Sequence, residues 1–254
     1  MEIKVVCPSH KRGKELKPAS VIKNLIICIP ESQYSDYKHW QLSPYNCTIL
    51  CHPDDIIGLP LKRQWIYEQL GNVFMVDDDV DAVLRKYTSR GEEQFIRDKE
   101  LVYEIIQKTG NDAREAGCYL FSFSHTPRPN AYESWNPIKL KGFVTGCVTG
   151  ILKGSKLSWN NCEAKCAEDY YISLLNAYHH RKCWIDTRFY FRQLGTFVNR
   201  GGQAEHRSLE QEEADYNFLK DNFGDAILLK SESNRASPLR RVKHRYEKSL
   251  KLPF

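Results

Sequence analysis

Short apolar runs alternate with longer amphipathic stretches along the first two hundred residues of the chain. Apolar runs of strand length occupy residues 3–7, 24–29, 48–51, 73–76, 118–123, 143–152 and 183–191. Helical spacing of apolar residues begins at Leu61 and recurs over residues 97–116 and 167–179. Because strands that alternate with helices build a mostly parallel sheet with helices on both faces, the pattern predicts an α/β fold with one Rossmann-like domain.

The end of the chain differs from the rest in charge. No linker or internal repeat divides the earlier part, so residues 1–230 are predicted to form a single domain. Residues 231–254 hold seven of the 37 Lys and Arg but only two of the 32 Asp and Glu, which accounts for the whole net charge of +5. We predict that this basic tail is helical. It is either a polyanion-binding surface or a solvated helix without a partner.

Composition limits the class of protein and its location. The chain has 41% hydrophobic and 27% charged residues, as ordinary soluble globular proteins do. No apolar run approaches the roughly 20 residues of a membrane helix, and the N-terminus lacks a signal-peptide pattern. We therefore expect a cytoplasmic protein without a membrane anchor, and no obligate protein partner is evident from the sequence.

The nine cysteines are predicted to be reduced and mostly buried, because their number is odd and the chain does not look secreted. Cys162 with Cys166, and Cys47 with Cys51 and His52, are the candidates for a zinc site. Both pairs lack the two-residue spacing typical of zinc ligands, so zinc is disfavoured. The glycine-rich signatures of dinucleotide-binding and P-loop enzymes are also missing.

Three consecutive carboxylates, Asp77, Asp78 and Asp79, directly follow the apolar run at residues 73–76. In open α/β sheets, ligands bind at the carboxyl ends of strands, where the loop Pro8 to Arg12 is also expected. Carboxylates at such a position suit Mg²⁺ or Mn²⁺ holding a diphosphate. The alternative is a solvated acidic turn in which an aspartate caps the following segment.

A strand followed by Asp-x-Asp in an α/β domain of this size resembles the GT-A glycosyltransferases, which use nucleotide-sugar donors. The resemblance implies that Asp77 contacts the donor ribose or the metal, and that Asp79 binds a metal bridging the diphosphate. It further implies a UDP-sugar donor, Mn²⁺ or Mg²⁺ as cofactor, and a GT-A domain. The donor-binding residues that it implies are Pro8, Ser9, His10, Arg12, Lys62, Arg63, Asp77 and Asp78.

Two further motifs follow in the order that the GT-A family has them. Ala167-Glu168-Asp169 starts a helix and resembles the family's xED motif, whose carboxylate often serves as general base; Asp169 or Glu168 would be the catalytic residue. Capping of the helix by these acids is the alternative. His206, after a pair of glycines, resembles the C-terminal metal ligand of the family, whereas a surface histidine is the alternative.

The acceptor is suggested by an irregular segment, residues 124–137, that is rich in prolines and aromatics. Long loops in compact domains are usually functional, and aromatic and cationic side chains together hold nucleic acid. Binding of a sugar acceptor is the alternative. The candidate DNA-binding residues in this loop and in the tail are His125, Arg128, Trp135, Arg240, Arg241, Lys243 and Arg245.

Within the GT-A enzymes, the CPSHKR start and the spacing from GLPLKRQWIYE to DDDV are similar to the TET/JBP-associated glycosyltransferases, found largely in bacteriophages. The resemblance implies sugar transfer to 5-hydroxymethylpyrimidine in DNA, chiefly 5-hydroxymethylcytosine, in the host cytoplasm if the protein is phage-encoded. Three alternatives are open: a glycosyltransferase for glycan or protein acceptors, a catalytically silent DNA-binding module, and a nucleotidyltransferase.

Overall fold

A ten-stranded mixed sheet forms the centre of the protein. The computed structural model describes residues 1–88, 91–193, 208–230 and 246–252. The strands are β1 (Lys4–Pro8), β2 (Ile26–Pro30), β3 (Thr48–His52), β4 (Val73–Val76), β5 (Val80–Arg85), β6 (Phe95–Ile96), β7 (Leu120–Ser124), β8 (Ile138–Lys139), β9 (Val148–Ile151), β10 (Trp184–Gln193), β11 (Ile227–Leu229) and β12 (Lys248–Leu250). The α-helices are α1 (Tyr34–Tyr37), α2 (Leu59–Leu70), α3 (Lys99–Glu115), α4 (Glu168–His179) and α5 (Leu209–Phe223).

The strand order in the large sheet is β3-β2-β1-β4-β9-β7-β10-β5-β6, with β8 beside β10. The strands β1 to β4 are mutually parallel, and β7 and β10 point the same way as β4. Only β5, β8 and β9 run against this direction in the described sheet. The predicted α/β fold with a mostly parallel sheet is confirmed.

Helices cover both faces of the sheet because successive strand residues point to opposite sides. Val5 and Phe74 pack in one core with residues of α3, whereas the next residues along each strand, Val6 and Met75, pack in a second core with residues of α2, α4 and α5. In β9, Gly150 allows the Phe121 ring to lie against the backbone, since a Cβ there would come within 2.2 Å of that ring.

Several elements differ from the sequence-based expectations. The strand expected over residues 143–152 is limited to Val148–Ile151, and residues 143–147 are a loop that approaches α4. The last part of the tail, Lys248–Leu250, is a strand and not a helix, because it pairs antiparallel with β11. Residues 231–245, which include Arg240, Arg241, Lys243 and Arg245, lie outside the described residues, as do residues 194–207 with His206.

Most of the cysteines are buried, as the sequence predicts. All nine cysteines are free, and seven of them are buried. Among the described residues no group of three His, Cys, Asp or Glu side chains could hold a metal ion, which includes the two disfavoured zinc candidates. No helix in the described part of the chain is long and apolar enough to cross a membrane.

Candidate active site

The acidic triplet lies beside the first loop of the chain because β1 and β4 are parallel neighbours. Asp78 joins the two segments: its carboxylate accepts hydrogen bonds from Ser9 Oγ at 3.0 Å and from Arg12 Nη1 at 2.6 Å. The Tyr37 hydroxyl completes the loop, 2.9 Å from Ser9 Oγ and accepting from the Arg12 backbone N–H at 2.8 Å. Asp78 is therefore a structural clamp on the predicted nucleotide loop. His10, in the same loop, lies 3.0 Å from the side-chain amide of Gln33.

Asp77 and Asp79 converge on a single amide group. Gln193, the last residue of β10, donates from Nε2 to Asp77 Oδ2 at 3.1 Å and to Asp79 Oδ1 at 3.0 Å. Burial raises the pKa of Asp77 well above its usual value. Burial, followed by the Asp78 carboxylate, raises the pKa of Asp79 to about 6. Converging oxygen ligands whose charges repel one another fit a hard divalent cation, which would favour their ionised forms.

Two cations of α2, Arg63 and Lys62, contact residues of this site. Arg63, only 1% exposed, donates from Nη2 to Asp77 Oδ1 at 3.1 Å and to the Gly146 carbonyl at 2.7 Å. The same nitrogen is 3.7 Å from Glu168 Oε1. Lys62, also buried, donates from Nζ to the Ser9 carbonyl at 2.8 Å. Both side chains thus hold other site residues, and their contact with a donor stays a prediction.

Glu168 and Asp169 begin α4, as the sequence predicts, but their surroundings differ. Glu168 is 4% exposed and faces Arg63, whereas Asp169 is half-buried. Asp169 accepts hydrogen bonds from the backbone N–H groups of Gly146 at 3.2 Å and Tyr170 at 2.8 Å. Burial, and then the Glu168 carboxylate, raise the pKa of Asp169 to about 7. Asp169 is thus the more exposed of the two acids, and its raised pKa suits proton transfer near neutral pH.

Gly146 is where the loop after β8 meets the start of α4. A Cβ at this position would lie 3.2 Å from Glu168 Oε1 and 3.3 Å from Asp169 Oδ2, closer than most Cβ atoms approach other groups. Because the Gly146 N–H binds Asp169 and its carbonyl binds Arg63, this residue links the two pairs of carboxylates.

The turn before α4 is held by Asp215 of α5, a residue that is fully buried. Its carboxylate accepts from the backbone N–H groups of Lys165 at 3.0 Å and Cys166 at 2.8 Å, and from Gln211 Nε2 at 2.7 Å. Sequence patterns indicated neither Asp215 nor Gln193, since the site residues that each contacts lie far away in the chain.

The hairpin of β11 and β12 also lies against α4. The Tyr170 hydroxyl donates to the Lys248 carbonyl at 2.9 Å, and Lys248 Nζ is 2.7 Å from Glu212 Oε2 of α5. Next to Lys248, the Lys230 N–H donates to the Glu247 carbonyl at 2.7 Å and extends the pairing of the two strands by one residue pair. The strand β12 is therefore held against α4 through Tyr170, the residue after Asp169.

The predicted acceptor residues His125, Arg128 and Trp135 lie in the loop after β7, and all three are exposed. Trp135 is the most exposed large hydrophobic residue described, at 83%. The loop ends at Pro137, whose carbonyl accepts from the Thr187 N–H at 2.8 Å. Since β7 is two strands from β4, the structure places this loop beside the acidic groups and not among them.

A family model described as TET-Associated Glycosyltransferase matches residues 3–202. Among solved structures, a crystal structure of S. aureus TarS residues 1–349 has a TM-score of 0.46 and 11% identity, over 92% of this chain and 74% of that chain. A second S. aureus TarS structure has a TM-score of 0.45 and 13% identity, over 92% of this chain and 45% of that chain. A search of curated protein sequences gives no match.

Proposed function

Because the chain belongs to the TET-associated glycosyltransferase family, we propose that it transfers a sugar from a UDP-sugar to the hydroxyl of a 5-hydroxymethylpyrimidine in DNA, chiefly 5-hydroxymethylcytosine. Membership makes it a glycosyltransferase and implies a nucleotide-sugar donor, which removes the silent DNA-binding module and the nucleotidyltransferase as alternatives. The observation that best supports the proposal is the meeting of the Asp77–Asp79 pair with Asp169, through Arg63 and Gly146.

The donor half of the site is proposed to lie between β1 and β4. The loop from Pro8 to Arg12 would receive the nucleotide, and Asp77 and Asp79 would hold Mn²⁺ or Mg²⁺, with His206 as a further predicted ligand. When bound, such an ion supplies positive charge that stabilises the departing diphosphate. Arg63 keeps Asp77 oriented and compensates part of the negative charge of the site.

The proposed transfer is a single displacement at the anomeric carbon. The hydroxymethyl oxygen forms the new bond to that carbon, while the bond to the UDP oxygen breaks and UDP leaves with the electron pair. Asp169 takes the hydroxyl proton, so the products are the glycosylated base, UDP and one proton. The backbone N–H groups of Gly146 and Tyr170 hold the Asp169 carboxylate in place for this step. A single displacement inverts the anomeric configuration.

DNA as acceptor is supported by the distribution of charge and by the loop after β7. Residues 231–245 contain Arg240, Arg241, Lys243 and Arg245, and both ends of this segment are anchored near α4. The exposed His125, Arg128 and Trp135 supply cationic and aromatic groups of the kind that hold nucleic acid strands.

The proposal is tested by incubating the protein with a panel of UDP-sugars, Mn²⁺ or Mg²⁺, and duplexes containing 5-hydroxymethylcytosine, 5-hydroxymethyluracil or cytosine. The DNA is digested and its nucleosides are weighed by mass spectrometry. We expect a mass increase of one sugar residue on a hydroxymethylated nucleoside, and a loss of that product with EDTA. Hydrolysis of UDP-sugar without any glycosylated nucleoside would contradict DNA as acceptor.

A second candidate function is transfer to a glycan or protein acceptor, and the exposed Trp135 ring favours it because aromatic rings stack on sugars. The two acceptors are distinguished by the same donor panel with oligosaccharides and peptides in place of DNA. Product in these reactions alone would support the second candidate.

A further inference from the structure

Lys86 is a buried cation that has no carboxylate partner in the described part of the chain. It follows β5, is 4% exposed, and donates from Nζ to Ser124 Oγ at 2.9 Å. The ion pairs of the described residues do not include it. The two other buried lysines are compensated differently: Lys248 pairs with Glu212, and Lys62 binds a backbone carbonyl close to Asp78.

A hydroxyl does not compensate a buried ammonium group. Taking a charge out of water is costly unless an opposite charge or several hydrogen bonds replace the lost hydration. The Ser124 hydroxyl, moreover, already donates to the Thr126 carbonyl at 3.0 Å. Burial, followed by the charge of Lys139, lowers the pKa of Lys86, so the group lies in an environment that lacks negative charge.

Other positive groups surround the same point. Lys139 of β8 is exposed, and the exposed His125 directly follows Ser124. The pKa of His125 is lowered by desolvation and then by Lys86, Lys139 and Lys230. Lys230 is itself paired with Glu247, whereas Lys86 and Lys139 form no ion pair with any residue that the structure describes.

The position of these groups fits an acceptor strand. Ser124 is paired with Tyr190 of β10, three residues before Gln193, which contacts Asp77 and Asp79. Three residues of a strand span about 10 Å, which corresponds to about three phosphates along the axis of one DNA strand. An acceptor strand that passes Gln193 would therefore bring phosphates about three nucleotides away to the level of Ser124 and Lys86.

We propose that Lys86, Ser124, His125 and Lys139 form a phosphodiester-binding site for the acceptor strand. The site rests on the proposed function, because the anion is a backbone phosphate of the DNA to be glycosylated. It adds a sequence-independent contact that fixes the position of the strand, whereas the hydroxymethyl group is selected at Asp169.

The test compares the salt dependence of binding to an unmodified duplex. Lys86→Met removes the charge with a side chain of similar length, and Lys139→Met does the same at an exposed position that does not endanger folding. The matched control is Lys153→Met. Lys153 is exposed and follows β9, which runs antiparallel to β4 and therefore ends at the opposite end of the strands. Thermal unfolding of each variant is recorded, and UDP binding measures the donor site.

We expect Lys86→Met and Lys139→Met each to reduce the slope of log affinity against log salt by about 0.9. The loss of affinity between 50 and 200 mM salt would then be about three- to fourfold smaller than in the wild type. Lys153→Met should keep the wild-type slope, and all three variants should keep UDP affinity. If Lys86→Met does not fold, Lys139→Met decides the matter.

Wild-type slopes in both Lys86→Met and Lys139→Met would overturn the site while leaving the proposed function intact. Failure of the wild type to bind any duplex would remove DNA as acceptor and the site with it. Inorganic phosphate gives a third comparison. If it raises the melting temperature of the wild type but not of Lys86→Met, while the DNA slopes are equal, the site takes a free phosphate and the assignment to the acceptor strand is wrong.

Discussion

At the scale of single residues, the candidate site is a crowded set of carboxylates whose charges are only partly compensated. The pKa values of Asp77, Asp78, Asp79 and Asp169 are all raised, first by burial. Arg63 and Arg12 are the nearest compensating cations. Neighbouring acids with perturbed pKa values are typical of functional sites. Such acids destabilise the folded protein when no ligand is bound, so their presence points to a function.

We predict that Asp79→Asn lowers sugar transfer at least about 100-fold, since it removes a charged ligand for the divalent cation. Thermal stability should be unchanged or higher, because the substitution also removes a buried charge whose pKa is raised. Initial rates over a range of Mn²⁺ concentrations measure the effect. Asp221→Asn, an exposed position on α5, is the control. Wild-type rates for Asp79→Asn in the presence of EDTA would refute the metal assignment.

The raised pKa of Asp169 predicts the pH dependence of transfer. A general base must be ionised, so kcat/KM should rise about tenfold per pH unit below pH 7 and level off above it. Asp169→Asn should lose this dependence and lower turnover by about 100-fold or more, with UDP-sugar affinity unchanged by calorimetry. A variant with undiminished turnover would move the role of base away from Asp169.

At the scale of elements, the sequence predicted those parts of the site that a local pattern marks. The apolar run of β4 before Asp77 and the helical period that follows Glu168 are such patterns, and both elements lie where expected. The face of α2 was harder to predict, because it buries Lys62 and Arg63 while Leu61 is 43% exposed. The buried face of α2 is polar because Arg63 binds Asp77 and Lys62 binds the Ser9 carbonyl, and both partners belong to distant segments of the chain.

The same reason explains the residues that were missed. Gln193 meets Asp79 across 114 positions of the chain, and Lys86 meets Ser124 across 38, so no spacing within one element indicates either contact. The segment that forms β12 was predicted to be helical. It is a strand because it pairs with β11, and its basic composition does not indicate that pairing. Elements defined by tertiary contacts are those for which local patterns fail.

The docking of α5 on α4 gives a prediction at this scale. Asp215→Asn keeps the volume, but it replaces one of the two carboxylate oxygens by an NH2 group, which cannot accept the hydrogen bond that this oxygen receives from the Lys165 or the Cys166 N–H. We expect the start of α4 to shift, so that kcat falls about tenfold or more while KM for the donor changes little. Steady-state kinetics and the pH profile are the measurements.

The control for Asp215→Asn is Asp225→Asn. Asp225 is exposed, and its ion pair is with Lys220 of α5 and not with a residue of α4. If Asp215→Asn loses thermal stability but keeps the wild-type kcat, as the control does, then Asp215 supports the fold and does not position the acids of α4.

At the scale of the whole molecule, both proposed substrates bind at the same end of the strands, the carboxyl ends of the parallel strands of the sheet. The proposed donor half consists of β1, α2 and β4, and the proposed acceptor half consists of β7, β10 and the paired strands β11 and β12. Arg63 and Gly146 connect the halves through Asp77 and Asp169. In the function that we propose, the nucleotide-sugar and a base of the DNA strand would meet at this site.

The most direct test of this account is transfer of labelled sugar to two duplexes that differ only in one hydroxyl group. One contains a single 5-hydroxymethylcytosine and the other 5-methylcytosine at the same position, with the UDP-sugar that the donor panel identifies. We predict one labelled sugar per duplex with 5-hydroxymethylcytosine and none with 5-methylcytosine. Equal labelling of the two duplexes, or no labelling of either while UDP is released, would contradict the account.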